Sequence, residues 1–432
     1  MKRTKKLSLL ILVLAMLVSI FTGCSNKKDE KKELVVWTFT DEIEKIVNNY
    51  YMKDHPDLPY DIVVRVIPNE QYQTKLDPVF STGKGAPDVF ALEGAYAKKY
   101  LDSGYLASLA ADGLNIEGKL IEEQYPYVLD MMRGKDGVLR GATFQATPGA
   151  FYYRRSLAEQ YLGTSDPAQV QQYVKNFSTF IATGEQLNKQ SNGKVKIVSS
   201  FSDLYKVFYA ARTSPWIVDN KLIIDSKIDE LMETTKILQE KKLTNETVEW
   251  SEGWFADMSG DSAFGYFLPT WGLSYVLKPN AKKADGSTTS ENDWAVTQGP
   301  APYFSGGTWL SVYDKSNMKE EAKALVEYIT SNEDFLKSWA KDTGDFLSNK
   351  KVVEQIKGDF KEDFLGGQNH YELFASHAGD IDASIVTGDD GTIGGLLSEQ
   401  VIAYALGEKQ KEQAIEDFKL AVKNAFPHYQ VE

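Results

Sequence analysis

A two-domain α/β protein is the fold this sequence predicts, on three observations. Between residues 34 and 101, short apolar runs of strand length alternate with stretches whose apolar positions recur at helical spacing, the pattern of strands joined by crossover helices in a mainly parallel sheet. About 400 residues follow a leader-like start, more than the roughly 250–300 that a single hydrophobic core accommodates. That body contains no cysteine, which rules out disulfides, thiolate nucleophiles and zinc-thiolate sites within it.

The elements follow in order. Residues 34–39 (LVVWTF) read as the first strand, and Thr40-Asp41-Glu42 open a helix with Ile43, Ile46, Val47, Tyr50 and Tyr51 along one face. A second strand over 62–67 and a helix over 72–80 come next. Residues 83–88 (GKGAPD) break the pattern without the G-x-x-x-x-G-K-[ST] spacing of a phosphate loop. A third strand over 89–92 and a helix over 95–101 complete the alternation. Farther on, Asp166-Pro167 start a helix whose apolar face is Val170, Tyr173, Val174, Phe177, Phe180 and Ile181. Met318, Ala322, Leu325, Val326 and Ile329 form another such face, and residues 279–293 (PNAKKADGSTTSEND) form a polar surface loop. No internal repeat is present.

The start of the chain has the three parts of an export signal: basic residues Lys2, Arg3, Lys5 and Lys6, an apolar run over 7–21, then Thr22-Gly23. The run is roughly 15 residues, short of the roughly 20 that span a bilayer. The next residue, Cys24, is the only cysteine of the chain. A small residue before a lone cysteine at this place resembles the lipobox of bacterial lipoproteins, in which the cysteine is lipidated. Residues 1–24 are therefore expected to be signal peptide and lipobox, and 25–33 (SNKKDEKKE) a flexible tether to the membrane. Without residues 1–23 the chain carries 44 basic and 61 acidic side chains, a net charge of −17. Such a balance disfavours nucleic acid and anionic membrane surfaces as partners and suits a neutral or weakly charged ligand.

Several segments, taken together and in order, resemble the extracellular solute-binding proteins of bacterial ABC importers, the maltose-binding-protein-like family. They are residues 81–109 (STGKGAPDVFALEGAYAKKYLDSGYLASL), 149–163 (GAFYYRRSLAEQYLG), 261–277 (DSAFGYFLPTWGLSYVL), 300–339, 366–381 (GGQNHYELFASHAGDI) and 412–426 (EQAIEDFKLAVKNAF). The resemblance implies a two-lobed, periplasmic-binding-protein-like fold. Its lobes would be discontinuous, 34–144 with 302–330 and 145–301 with 331–432, the chain crossing between them near 145, 301 and 331. It further implies a monomeric receptor that closes on a sugar or oligosaccharide and presents it to the importer's permease at the extracytoplasmic face of the cell membrane. No cofactor, metal or catalytic residue is expected.

Two alternatives stand beside this reading: an extracellular glycan-degrading enzyme, or a receptor for a non-sugar ligand such as a polyamine, thiamine or an iron complex. A glycosidase needs two carboxylates about 5–10 Å apart, and no local motif singles out such a pair. His55, His370, His377 and His428 lack H-E-x-x-H spacing, no G-x-S-x-G elbow occurs, and residues 379–391 (GDIDASIVTGDDG) lack the EF-hand pattern.

Aromatic residues point toward a sugar, because an indole face stacks on the C–H face of a pyranose while carboxylates and amides take its hydroxyls. Trp37, Trp216, Trp271 and Trp309 fall in a strand or at strand ends and turns, and are the candidate stacking residues; core packing is the competing role for each. Trp271 follows Leu268-Pro269-Thr270, and Trp309 follows Gly306-Gly307, where the family's chain meets the cleft. Asp41, Glu93 and Asp390 are the candidate hydroxyl acceptors, with helix-start or turn chemistry as the alternative role for Asp41 and Asp390.

Overall fold

The computed structural model describes residues 31–432. Cys24, the signal sequence and residues 25–30 of the expected tether lie outside the described residues. The tether was expected to run to 33, but the first strand already begins at Lys32.

The strands are β1 (Lys32–Thr38), β2 (Tyr60–Val66), β3 (Val89–Glu93), β4 (Ala142–Thr143), β5 (Gly149–Arg154), β6 (Lys196–Val198), β7 (Ile217–Val218), β8 (Lys221–Leu222), β9 (Ala263–Pro269), β10 (Trp294–Thr297) and β11 (Thr308–Val312). They build two principal sheets, ordered β2-β1-β3-β11-β4 and β10-β5-β9-β6, with β7 and β8 a separate hairpin. β5, β9, β10 and β11 are buried at every residue, the mark of sheets covered by helices on both faces. β1 lies parallel to β2 and β3, and β6 parallel to β9. The expected mainly parallel sheet is nevertheless only half right: β11 runs antiparallel to β3 and β4, and β5 antiparallel to β9 and β10. The reason is topological, since β5 and β11 enter their sheets from the other lobe and so run against their neighbours.

Local chemistry explains the element ends. Asp88 of the GKGAPD turn is structural: its carboxylate accepts from the Val35 N–H at 2.8 Å and from Ser316 Oγ at 2.6 Å, tying the third strand to the first and to the segment after β11. The apolar face that starts at Pro167 divides into two helices, Pro167–Val174 and Phe177–Gln190, because Asn176 caps the second with a reciprocal Asn176–Thr179 capping box.

Two stretches connect the sheets, and a third lies beside them. Residues 144–148 join β4 to β5, and residues 298–307 join β10 to β11. Pro148 pairs with Phe304, and the Ser305 N–H donates to the Thr147 carbonyl. A third stretch at 345–348 pairs with the first: Gln145 bridges Leu347, Ala146 N–H donates to the Phe346 carbonyl, and Ser348 N–H to that of Phe144. The helix Glu333–Thr343, assigned from the resemblance to the second lobe, packs on the first: the Phe335 and Trp339 rings stand 5.3 and 6.0 Å from that of Tyr50, and Trp339 stands 5.9 Å from Phe144.

Candidate functional site

A cavity of about 770 Å³ lies between the two lobes. Its first-lobe wall comes from Phe39, Thr40 and Glu42 just after β1, Asn69, and Glu93 at the end of β3. The second lobe contributes Tyr205, Lys206 and Tyr209 from one short helical segment, Glu249 and Trp250 from a loop, and Pro269, Trp271 and Tyr275 after β9. Gln145 and residues 305–308 of the connections form its back. Strand ends face this crevice because the loops beyond them are free of sheet pairing, the usual placement of ligands in α/β folds.

Trp271 is held on the wall by its surroundings. Pro269 ends β9, and the indole N–H then donates to the Ser305 carbonyl at 2.9 Å. Gly306 sits under the ring with φ +70°; a Cβ there would lie 2.9 Å from the indole nitrogen, so only glycine lets the chain and the ring approach this closely. Trp250 stacks beside it, with ring centroids 6.2 Å apart and planes 17° apart. Trp250 has φ +69° and is 53% exposed, a large aromatic side chain held at the cavity mouth by a left-handed backbone.

The carboxylates divide into two kinds. Glu249 is ion-paired with Lys206. Glu42 is only 6% exposed and accepts from the Tyr275 hydroxyl at 3.1 Å and the Thr40 hydroxyl at 3.3 Å. Burial, reinforced by the charge of Asp345, holds the Glu42 carboxyl well above the usual range. Glu93 takes the Ala95 N–H at 3.1 Å, and burial pushes it up to about 7. The Glu42–Tyr275 hydrogen bond joins the two lobes across the cleft.

A smaller cavity of about 280 Å³ adjoins the first, sharing Glu93, Lys206, Tyr209, Ser305 and Gly306 with it. Here Arg212, its side chain 2% exposed, pairs with Asp390 at 2.5 Å and lies 4.4 Å over the Trp216 ring. Asp390 also accepts from the Thr387 N–H and hydroxyl. The lobes touch here too: a Cβ on Gly391 would lie 3.2 Å from the Ala95 carbonyl, and one on Gly388 3.3 Å from Lys99 Cα.

Of the residues singled out from sequence, the structure brings Glu93 and Trp271 into the main cavity, and Glu93, Trp216 and Asp390 into the smaller one. Three stand elsewhere. Asp41 is exposed and pairs with Lys45 at 2.7 Å; at this helix start it is the next residue, Glu42, that turns inward. Trp37 belongs to the interior of the first sheet, opposite Arg65 and Phe90. Trp309 is 1% exposed and donates to the Val128 carbonyl, because side chains alternate along β11 and it is Thr308 that faces the cavity. Trp216 is itself 1% exposed, a support for Arg212 more than an open stacking face. Sequence reasoning passed over Glu42, Trp250, Tyr205, Lys206 and Tyr275. A helix-start pair reaching for the cleft was the one available signal for Glu42.

Two sheets joined by two adjacent connections, with an indole-walled, partly polar cavity between them, define a two-lobed binding protein that encloses its ligand in a cleft. The chain belongs to the bacterial extracellular solute-binding protein family, whose pattern it matches over residues 48–364. Among solved structures it is similar to an extracellular solute-binding protein of family 1, at 19% identity, covering 91% of this chain and 99% of that one with a TM-score of 0.77. It is also similar to the ABC-transporter-associated binding protein of B. animalis subsp. lactis Bl-04 in complex with β-1,6-galactobiose (20% identity, 91% and 97% covered, TM-score 0.70). A third is the sugar-binding protein MalE of Xanthomonas citri (14%, 92% and 99%, TM-score 0.72). No curated protein sequence matches the chain. Among the described residues no helix is long and apolar enough to cross a membrane.

Proposed function

We propose that this protein is the sugar receptor of an ABC importer, a monomer held by lipid at Cys24 on the extracytoplasmic face of the cell membrane. The observation that carries the sugar reading is the wall formed by Trp271 and Trp250 beside Glu42, Glu93, Asn69 and Gln145: a flat apolar face with hydrogen-bonding groups around it. The volume of about 770 Å³ is that of a cleft for a small oligosaccharide, and similar folds have been solved with β-1,6-galactobiose and with lacto-N-biose bound.

Contacts from both lobes meet the ligand, so binding favours the closed arrangement, and it is this arrangement that the permease reads. Moving a two-state balance from 1:99 to 99:1 takes a roughly 10⁴-fold preference for the closed form, which one lobe's contacts alone do not provide. The chain acts by stoichiometric capture and not by turnover. A thermal-shift screen of the soluble body against mono- and oligosaccharides tests the reading. A ligand at 100 times its Kd raises stability by about 2.7 kcal/mol, and the same mixtures should release no new reducing sugar. A panel without any stabilising sugar, or steady glycan cleavage, would refute it.

A further inference from the structure

The charges around the main cavity do not balance. Lys206 is the one cationic side chain on its wall among the described residues, and Glu249 already pairs with it. The cations of the adjoining cavity do not compensate either: Arg212 pairs with Asp390, Lys99 pairs with Asp77, and Lys98 donates to the Arg133 carbonyl at 3.5 Å. Glu42 and Glu93 are left facing the cavity with hydroxyl and backbone N–H donors but no cation. Asp345 stands behind Glu42, its partners being Gln145 and the Trp339 indole N–H, and is a third carboxyl group without a cation.

Two further features make this more than a group of acids. The indole faces of Trp250 and Trp271 form the wall of the same cavity, and electron-rich indole faces attract a cation held over them. Tyr205 also lines the cavity, and its hydroxyl is buried without a hydrogen-bond partner. A neutral sugar supplies hydroxyl donors to Glu42 and Glu93 but brings no cation to either carboxyl group. An ammonium group supplies donors and charge together.

We infer that the main cavity selects a sugar bearing a protonated amine, an amino sugar or a short oligosaccharide of them, over the otherwise identical neutral sugar. This inference rests on reading the cavity as a sugar site. The ammonium meets a cavity-facing carboxylate, Glu42 or Glu93, with the ring on the indoles.

Matched sets test it. Titration calorimetry with glucose, N-acetylglucosamine and glucosamine, with the same three forms of galactose, and with cellobiose, diacetylchitobiose and chitobiose varies only the group at C2 of each ring. The amine form is expected to bind at least about tenfold tighter than its neutral counterparts, the scale of one charge-assisted contact. Glu42→Gln or Glu93→Gln should remove most of that preference, and both should leave the ligand-free melting temperature unchanged or higher, since each deletes a carboxylate that has no cationic partner. A fall in melting temperature in both variants would overturn the assignment of these carboxylates as unpaired ligand groups. Neutral sugars that bind as tightly as the amines would overturn the inference and leave the sugar receptor standing. Binding of spermidine with no response to any sugar would overturn the sugar reading, and the inference with it, as would silence across the whole set.

Discussion

Replacing Trp271 by alanine separates a ligand-stacking role from a packing role. The indole makes one hydrogen bond, to the Ser305 carbonyl at 2.9 Å, and one aromatic stack, to Trp250 at 6.2 Å, and it stays partly open to the cavity. Loss of a hydrogen bond costs about 1 kcal/mol and loss of a stack about 0.5–1.5 kcal/mol, so folding should weaken by about 2 kcal/mol and melting should fall by only a few degrees. If the ring also covers a sugar face, binding should weaken by a further 1–3 kcal/mol, roughly 5- to 150-fold. Calorimetric titration reads the second quantity and ligand-free melting the first. Trp271→Phe, which keeps an aromatic face and gives up the N–H, should recover most of the affinity and little of the hydrogen bond. A Trp271→Ala protein that melts far lower yet binds its sugar normally would refute the assignment of the ring to the cleft.

Four other outcomes are expected. Trp309→Ala, which empties a fully packed site next to Gly94 and Gly307, should cost about 3–5 kcal/mol of stability, seen as a large fall in melting temperature with affinity intact where the protein still folds. Tyr275→Phe removes the hydroxyl that reaches Glu42 across the cleft and should weaken ligand affinity about 2- to 12-fold; solution scattering should then show a larger radius of gyration at a given ligand concentration. Glu93 has a folded-state value of about 7 against an unfolded value of 4.5, so the unfolded chain loses its proton first as pH rises. Its contribution to stability is present below about pH 4.5 and lost by about pH 7, so the ligand-free melting temperature should fall more across this window in the native protein than in Glu93→Gln. Cys24→Ser should abolish lipid labelling and release the protein from membranes; undiminished labelling would remove the anchor.

Local signals carried the fold further than they carried the site. Strand and helix alternation was readable because period-2 and period-3.6 patterns are written in neighbouring residues, and β1, β2 and β3 lie within a residue or two of their expected places. Sheet direction was not readable, since whether β11 runs with or against β3 depends on where the chain returns, not on its own five residues. The cleft was legible where a strand-ending proline placed Trp271. It was not legible at Trp250, whose position depends on a left-handed residue in a loop without a motif, or at Tyr275, whose partner lies 233 residues away. Asp41 and Trp309 show the limit of that resolution: in each case the adjacent residue is the one that reaches the cavity, because one step along a helix start or a strand reverses which way a side chain points.

The first sheet needs a strand from late in the chain. β3 pairs with β1 on one side and with β11 on the other, so while the ribosome is making residues 94–307 its outer edge has no neighbour. Half of that lobe therefore waits for nearly all of the other to be synthesised, and neither can reach its final form as the chain emerges. The open edge is a hazard for as long as the delay lasts, because an unpaired, wholly apolar strand such as residues 89–92 invites association with other chains.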